Sequence, residues 1–443
     1  MKTRKIIGAL LAFGFAGIGF YLWRWNRQIA LNHELGNAID RADVASIRRL
    51  LDYGADVNVG GGGGRTALIL AARRGDASLA QSIIGLGADI DKADKAGITP
   101  LISAVQRKRI EAVQLLLERR ANPNAHQRDG RTALMEAAKN GDSNSARLLL
   151  IAGADVKTAD SAGRTPLMDA AAGRNFGVIL LLLEKGSDVN ARDRRGRTAL
   201  MESSALGDLA TVRSLVKAGV DLRAQGHDAI IEAAVNGHAD MIDLLLAAGA
   251  VLDAMSPGSG SALVEAASNR STAVVKRLLA AGVDPNYEID SQMFRRSGGW
   301  IMKTALIGAA RSRDVQATEA LIAAGAKIDY TDESGETALT CALSAAEVKN
   351  DTSVALSLIR HGADLNQTKP DGPTPLMAAL SLPDVVRELI ARGAIINARD
   401  KQGRTALGIA KRIPTTYFNR EQRILGERRA RSIRILEQAG AKE

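Results

Sequence analysis

From residue 30 onward the apolar and polar positions repeat with a long period. Each cycle opens on Thr, then Ala or Pro, then Leu. Thr66-Ala67-Leu68, Thr99-Pro100-Leu101, Thr132-Ala133-Leu134, Thr165-Pro166-Leu167 and Thr198-Ala199-Leu200 are spaced by 33 residues without exception. Asp228-Ala229-Ile230, Ser261-Ala262-Leu263, Thr304-Ala305-Leu306, Thr337-Ala338-Leu339, Thr374-Pro375-Leu376 and Thr405-Ala406-Leu407 bring the total to eleven. Thr, Ser and Asp accept from the free N–H groups of a helix start, and Pro or Ala suits its first turn. All eleven leading residues are therefore expected to be helix caps. Later in each cycle a leucine-rich stretch runs into Gly-Ala-Asp or a relative, as at Leu148-Leu149-Leu150 with Gly153-Ala154-Asp155. Glycine there ends a second helix in the left-handed conformation. Asn140-Gly141-Asp142 and Asn236-Gly237-His238 mark the tight turn between the two helices. An extended loop then turns back through Asp-x-x-Gly, as at Asp94 to Gly97 and Asp193 to Gly196. The predicted unit is helix, turn, helix, extended loop.

A 33-residue period with these two markers resembles the ankyrin repeat family. Counting a first helix pair around Leu35 to Gly54-Ala55-Asp56, there are twelve units over residues 30–443. The resemblance implies an all-α ankyrin-repeat solenoid and a role in protein recognition through loop tips and the inner helices. One such helix pair cannot bury its own apolar face; stacking on neighbours does so. No room remains for a separate catalytic domain, and no cofactor is expected. The family's His after the motif Leu is replaced by Ile69, Ile102, Met135, Met168, Met201 or Ile231. The hydrogen bonds that His makes between neighbouring loops are thus missing, which leaves the rigidity of the loops open.

The first 29 residues have another pattern. Lys2, Arg4 and Lys5 precede an uncharged stretch from Ile6 to Trp23, followed by Arg24 and Arg27. This is the minimum length for a helix to span a bilayer, with Tyr21, Trp23 and Trp25 at its end as interfacial aromatics. We expect an uncleaved membrane anchor over residues 6–23 and a juxtamembrane segment to residue 29. The alternative is a signal peptide that is cleaved, releasing the repeats to bind an external or host protein. Against it, no A-x-A site follows the apolar run. The basic head favours its retention in the cytoplasm, with the repeats on the other side, periplasmic or lumenal. Gly8, Ala12 and Ala16 form a small-residue stripe, which the frequency of small residues in membrane helices explains.

Charge changes the picture less than its total suggests. The net charge is +10, but residues 1–27 carry +5 and residues 404–443 carry +6, leaving the body at −1. A nearly neutral body in a chain with 3% aromatics argues against nucleic-acid binding. The single cysteine, Cys341, excludes an internal disulfide and a cysteine-based zinc cluster. The five histidines occupy unrelated repeat positions, with no metal-ligand spacing. Gly60 to Gly64 lacks the phosphate-loop pattern and is expected to be a flexible tip.

Two rows of charge are the candidate binding surface. Loop tips carry Arg65, Lys95, Arg128, Arg131, Arg164, Arg194, Arg195, Arg197, Lys401 and Arg404. First helices carry Glu136, Asp169, Glu202, Glu232 and Glu265, two residues after each motif Leu or Ile. One reading is a basic tip strip facing an acidic protein partner. The other is solvation and tip–helix ion pairing, each pair worth little. A second candidate is the long loop 287–303, which lengthens one spacing to 43 residues and holds Phe294 and Trp300 beside Arg295 and Arg296. Exposed aromatics beside Arg are typical contact anchors, unless they fold back over neighbouring helices. The arginine-rich end, 408–443, reads as a solvated cap, with contact to anionic lipid headgroups as the weaker alternative.

Overall fold

A computed structural model describes residues 23–289, 303–332, 335–367, 372–412 and 420–443. Nine of the eleven motif residues cap a first helix as expected. The hydroxyls of Thr66, Thr99, Thr132, Thr165, Thr198, Thr304, Thr337, Thr374 and Thr405 each accept from the backbone N–H three residues on. Asp228 and Ser261 do not. Their helices begin earlier, at Leu222–Val235 and Pro257–Ser268, capped by Asp221 and Ser256. No Asp-x-x-Gly hairpin precedes either motif, so the chain enters the helix directly and the two residues sit inside it.

The described residues divide into two compact units: those up to Ser203 with Ala210–Val220, and Ser204–Leu209 with those from Asp221 onward. Residues 23–40 and Val44–Asp52 are helical and precede the first motif. Helix pairs then follow in order, from Ala67–Arg74 with Ala77–Gly85, through Pro100–Gln106 with Ile110–Glu118, Ala133–Asn140 with Ser143–Ile151, and Pro166–Ala172 with Phe176–Glu184. In the second unit the last pair is Ala406–Arg412 with the longer Arg420–Gln438. Among the described residues there is no strand, only the isolated bridges Gly60–Thr66 and His126–Thr132 at hairpin necks.

In the first unit the core is a column of small aliphatics. Leu116, Leu149, Leu182 and Leu215, one per period, are fully buried, as are Ala71, Ala104, Ala137 and Ala170 of the first helices. Met135, Met168 and Met201, standing where the family has His, fill this core. Replacing one such leucine by Ala costs about 2–5 kcal/mol.

Without that His, the loops are tied by other groups. The amides of Lys95, Arg128, Ser161 and Arg194 donate to carbonyls of the preceding hairpin tip, those of Gly63, Ala96, Asp129 and Ala162. Within the tips, the Asp94, Asp160 and Asp193 carboxylates each accept two amides, two and four residues on. At the other end of each repeat, Asn58, Asp91 and Asn124 accept from the amides of Asp89, Asn122 and Asp155, one repeat further on. The series breaks at Lys157, which cannot accept.

The glycine run corrects one expectation. It closes as a formed hairpin: the Gly61 amide donates to Arg65 O at 3.0 Å and the Gly62 amide to the Asp40 carboxylate at 2.8 Å. A Cβ at Gly60 would lie 2.6 Å from Gly64 O, so this closure needs glycine there.

Candidate functional site

The tip and helix charges of the first unit meet as an ion-pair ladder. Arg131 Nε lies 2.9 Å from Glu136 of its own repeat, and Nη2 lies 2.9 Å from Asp169 of the next. Arg164 repeats the arrangement, with Nε 3.0 Å from Asp169 and Nη1 3.0 Å from Glu202. Arg197 Nε lies 3.2 Å from Glu202. The hairpin carboxylates join in: Asp160 lies 3.4 Å from Arg131 and Asp193 lies 3.8 Å from Arg164. The Arg131 side chain is 15% exposed and Asp169 only 6%. Burial works against the Arg131 and Arg164 charges. Hydrogen bonds and attraction from Glu136, Asp169 and Glu202 outweigh it and hold both guanidinium pKa values above the ordinary range.

The geometry thus separates the tip arginines into two sets. Arg131, Arg164 and Arg197 are engaged inside the protein and form no outward basic strip. Arg128, Arg194 and Arg195 have their backbone amides fixed in the hairpins and their side chains exposed. Glu232 is half-buried on Leu222–Val235, in the second unit. Phe294 and Trp300 lie outside the described residues. At the neck of their loop, Ile289 N donates to Lys303 O at 3.0 Å, and the Tyr287 ring covers Gly260 so closely that no Cβ fits there.

The Arg–acid spacing of five residues recurs once in altered form. Glu336 stands at the arginine position and Cys341 at the acid position. The buried thiol donates to the Glu336 carboxylate at 2.8 Å. Burial, then this carboxylate, push the thiol pKa far above its usual range, so it is a poor nucleophile. The histidines act as structural donors and acceptors: His238 Nε2 contacts Ala205 O at 3.1 Å, and His227 contacts the Asp253 amide and the Ser256 hydroxyl.

Sequence reasoning missed a recess of about 540 Å³ in the first unit, lined by Ala42, Arg65, Leu70, Arg73, Arg74, Arg107 and Arg109. Its signal was present, since Arg73-Arg74 and Arg107-Lys108-Arg109 stand one period apart. In the second unit, a recess of about 690 Å³ collects Arg387, Arg428, Arg431 and Arg434, with Asp384 lying 3.3 Å from Arg387.

Among the described residues no group of three or more His, Cys, Asp or Glu is arranged to hold a metal ion, and no helix is long and apolar enough to cross a membrane. The expected anchor, residues 6–23, lies outside the described residues except for Trp23.

Stacked helix pairs capped by Thr and joined by stitched hairpins define a helical repeat protein. The family model for ankyrin repeats (three copies) matches residues 35–127, 120–193, 190–256 and 343–412. The chain belongs to the ankyrin repeat family. No curated protein matches it.

Proposed function

We propose that this chain is a membrane-anchored, non-catalytic scaffold that holds a partner protein against its loop tips and inner helices. The observation that carries this reading is the separation of the tip arginines. The ladder fixes the hairpins from within, while Arg128, Arg194 and Arg195 project from rigid backbone into solvent. A cation carried on a hydrogen-bonded hairpin adds no cost of ordering a loop, only that of its own side chain, and suits an acidic partner surface. Ankyrin repeats are in general non-catalytic interaction scaffolds, which supports the same reading.

Attachment to the membrane through residues 6–23, with the repeats outside the cytoplasm, rests on the basic head and the uncharged stretch behind it. Trp23 and Trp25 are exposed, as side chains bound for a headgroup layer would be.

In-cell crosslinking of the full chain, followed by affinity measurement on the captured protein, tests the scaffold. The triple variant R128E/R194E/R195E should weaken capture at least about ten-fold while leaving the thermal unfolding midpoint unchanged. Undiminished capture would remove the tips from the binding surface. Protease digestion of a C-terminal tag tests the anchoring: cleavage once the outer barrier is opened supports the proposed side, and protection until the inner membrane is lysed reverses it. Intact mass distinguishes an anchored chain from one that has lost its leader.

A further inference from the structure

Arg65 occupies the same repeat position as Arg131, Arg164 and Arg197, but its carboxylates are missing. Five residues on, where the ladder has Glu136, Asp169 and Glu202, stands the buried Leu70; one repeat further stands Ser103. Arg73 and Arg107 face the same recess. Among the described residues none of these three has an ion pair or a side-chain hydrogen bond. Arg74 and Arg109 are tied to the backbone, through Ala42 O at 3.1 Å and Arg73 O at 3.4 Å, and form the fixed rim. Arg73 is half-buried beside like charge, and its pKa is lowered by burial, then by Arg107 and Arg65. Holding these cations together costs the free protein energy that an incoming anion would recover.

We propose that the recess formed by Arg65, Arg73 and Arg107 over Leu70 binds a short run of Asp or Glu side chains from a partner protein. This rests on the scaffold reading and names the chemistry of one contact in it. Guanidinium forks match carboxylates two bonds at a time. Leu70 gives an apolar floor for the methylene groups of such a segment. The recess has no aromatic side chain on which a base could stack, which disfavours nucleic acid. It is a shallow depression across the first helices of neighbouring repeats, open enough to admit an extended chain segment.

The probe is a fluorescein-labelled Glu-Gly repeat decapeptide, with the Gln-Gly analogue as neutral control. Anisotropy is measured on the full chain in a non-ionic detergent. The Glu-Gly peptide should bind, the Gln-Gly analogue should not, and added salt should weaken the affinity. R65Q/R73Q/R107Q should weaken it about ten- to a hundred-fold, from three lost ion contacts. R119Q/R147Q/R213Q, which removes the same net charge from exposed positions elsewhere in the unit, should change it less than about three-fold. Circular dichroism checks that both variants fold. Equal weakening by both variants, or no binding of the Glu-Gly peptide, overturns the proposal. So does displacement of the peptide by equimolar inorganic phosphate, or arginine-dependent binding of phosphatidylserine vesicles in preference to it. If the crosslinked partner binds R65Q/R73Q/R107Q as tightly as the parent chain, the scaffold stands and this inference alone fails.

Discussion

The repeats around Arg164 and those around Arg73 share backbone, caps and spacing, yet treat charge in opposite ways. In the first region each guanidinium joins a carboxylate of its own repeat to one of the next, and the ladder acts as a polar seam along the stack. In the second, Leu70 and Ser103 take the acid positions and the arginines converge without counter-charge. One side-chain choice per repeat separates a charge that stabilises from one held ready for a ligand. A buried, shared ion pair is sensitive to loss of either partner, because the remaining charge is left in a poor solvent. Arginines partly open to water lose little when one is removed.

Arg164→Ala should therefore give the largest effect. Asp169 and Glu202 would keep only Arg131 and Arg197 as respective partners, in a site where Asp169 is 6% exposed. A loss of about 3 kcal/mol is expected in urea unfolding, with Arg164→Lys recovering about half, because the point charge returns but the fork does not. Arg65→Ala, the change at the matching repeat position of the unpaired region, should shift stability by less than about 0.5 kcal/mol. Equal costs at the two sites would break the comparison.

The Glu336–Cys341 pair is a third solution at the same positions, a neutral donor facing a carboxylate. Its thiol pKa is raised on folding, so its sign is fixed. Above about pH 8.5 the unfolded thiol ionises while the native one stays protonated, and the unfolded state binds fewer protons. Native stability from this group is complete below that pH and falls as pH rises. Between pH 8 and pH 10 the parent chain should lose about 2 kcal/mol more than Cys341→Ala. Parallel curves would show that the thiol titrates alike in both states.

Leu70→Glu would convert the unpaired region toward the paired one. A carboxylate five residues after Arg65 should pair with it as Glu136 pairs with Arg131. Binding of the Glu-Gly peptide should weaken about ten-fold, equivalent to about 1.4 kcal/mol. Leu70→Ala, which removes the floor without adding charge, should weaken it less. The reverse order would assign the contact to apolar burial.

The helical frame was legible because it is written locally. Thr99, Pro100 and Leu101 are adjacent in sequence, and their cap, first turn and buried contact need no knowledge of neighbouring repeats. The two failures, Asp228 and Ser261, fall where no Asp-x-x-Gly pattern precedes the motif, and the cap moves back to Asp221 and Ser256 although Gly226 keeps the usual glycine offset. The arginine and acid rows were also visible, but not which carboxylate each guanidinium reaches. That depends on how one repeat sits on the next. The recess was hidden for the same reason. Arg65 looked like one more tip residue, and only stacking brings it to Arg73 and Arg107. Met135 and Met168 announced the missing His, but the backbone stitches that hold the hairpins instead make no demand on side-chain identity.

The smallest effect probes the opposite end of the paired repeats. Asn58, Asp91 and Asn124 each accept an amide of the next repeat, and Lys157 interrupts the row. At 31 residues beyond it, as in the intact steps, lies the Asp188 amide. Lys157→Asn supplies an acceptor to a partly exposed donor, so the gain is that of one neutral hydrogen bond less the cost of ordering a short side chain. A rise of about 0.5–1 kcal/mol in unfolding free energy is expected. Hydrogen exchange reads the mechanism separately from the total: the Asp188 amide should gain protection while those of Asp89 and Asp155 keep theirs. A stability gain without protection at Asp188 would trace the effect to removal of the lysine charge. The seam through Arg164 would then be the stronger tie between these repeats.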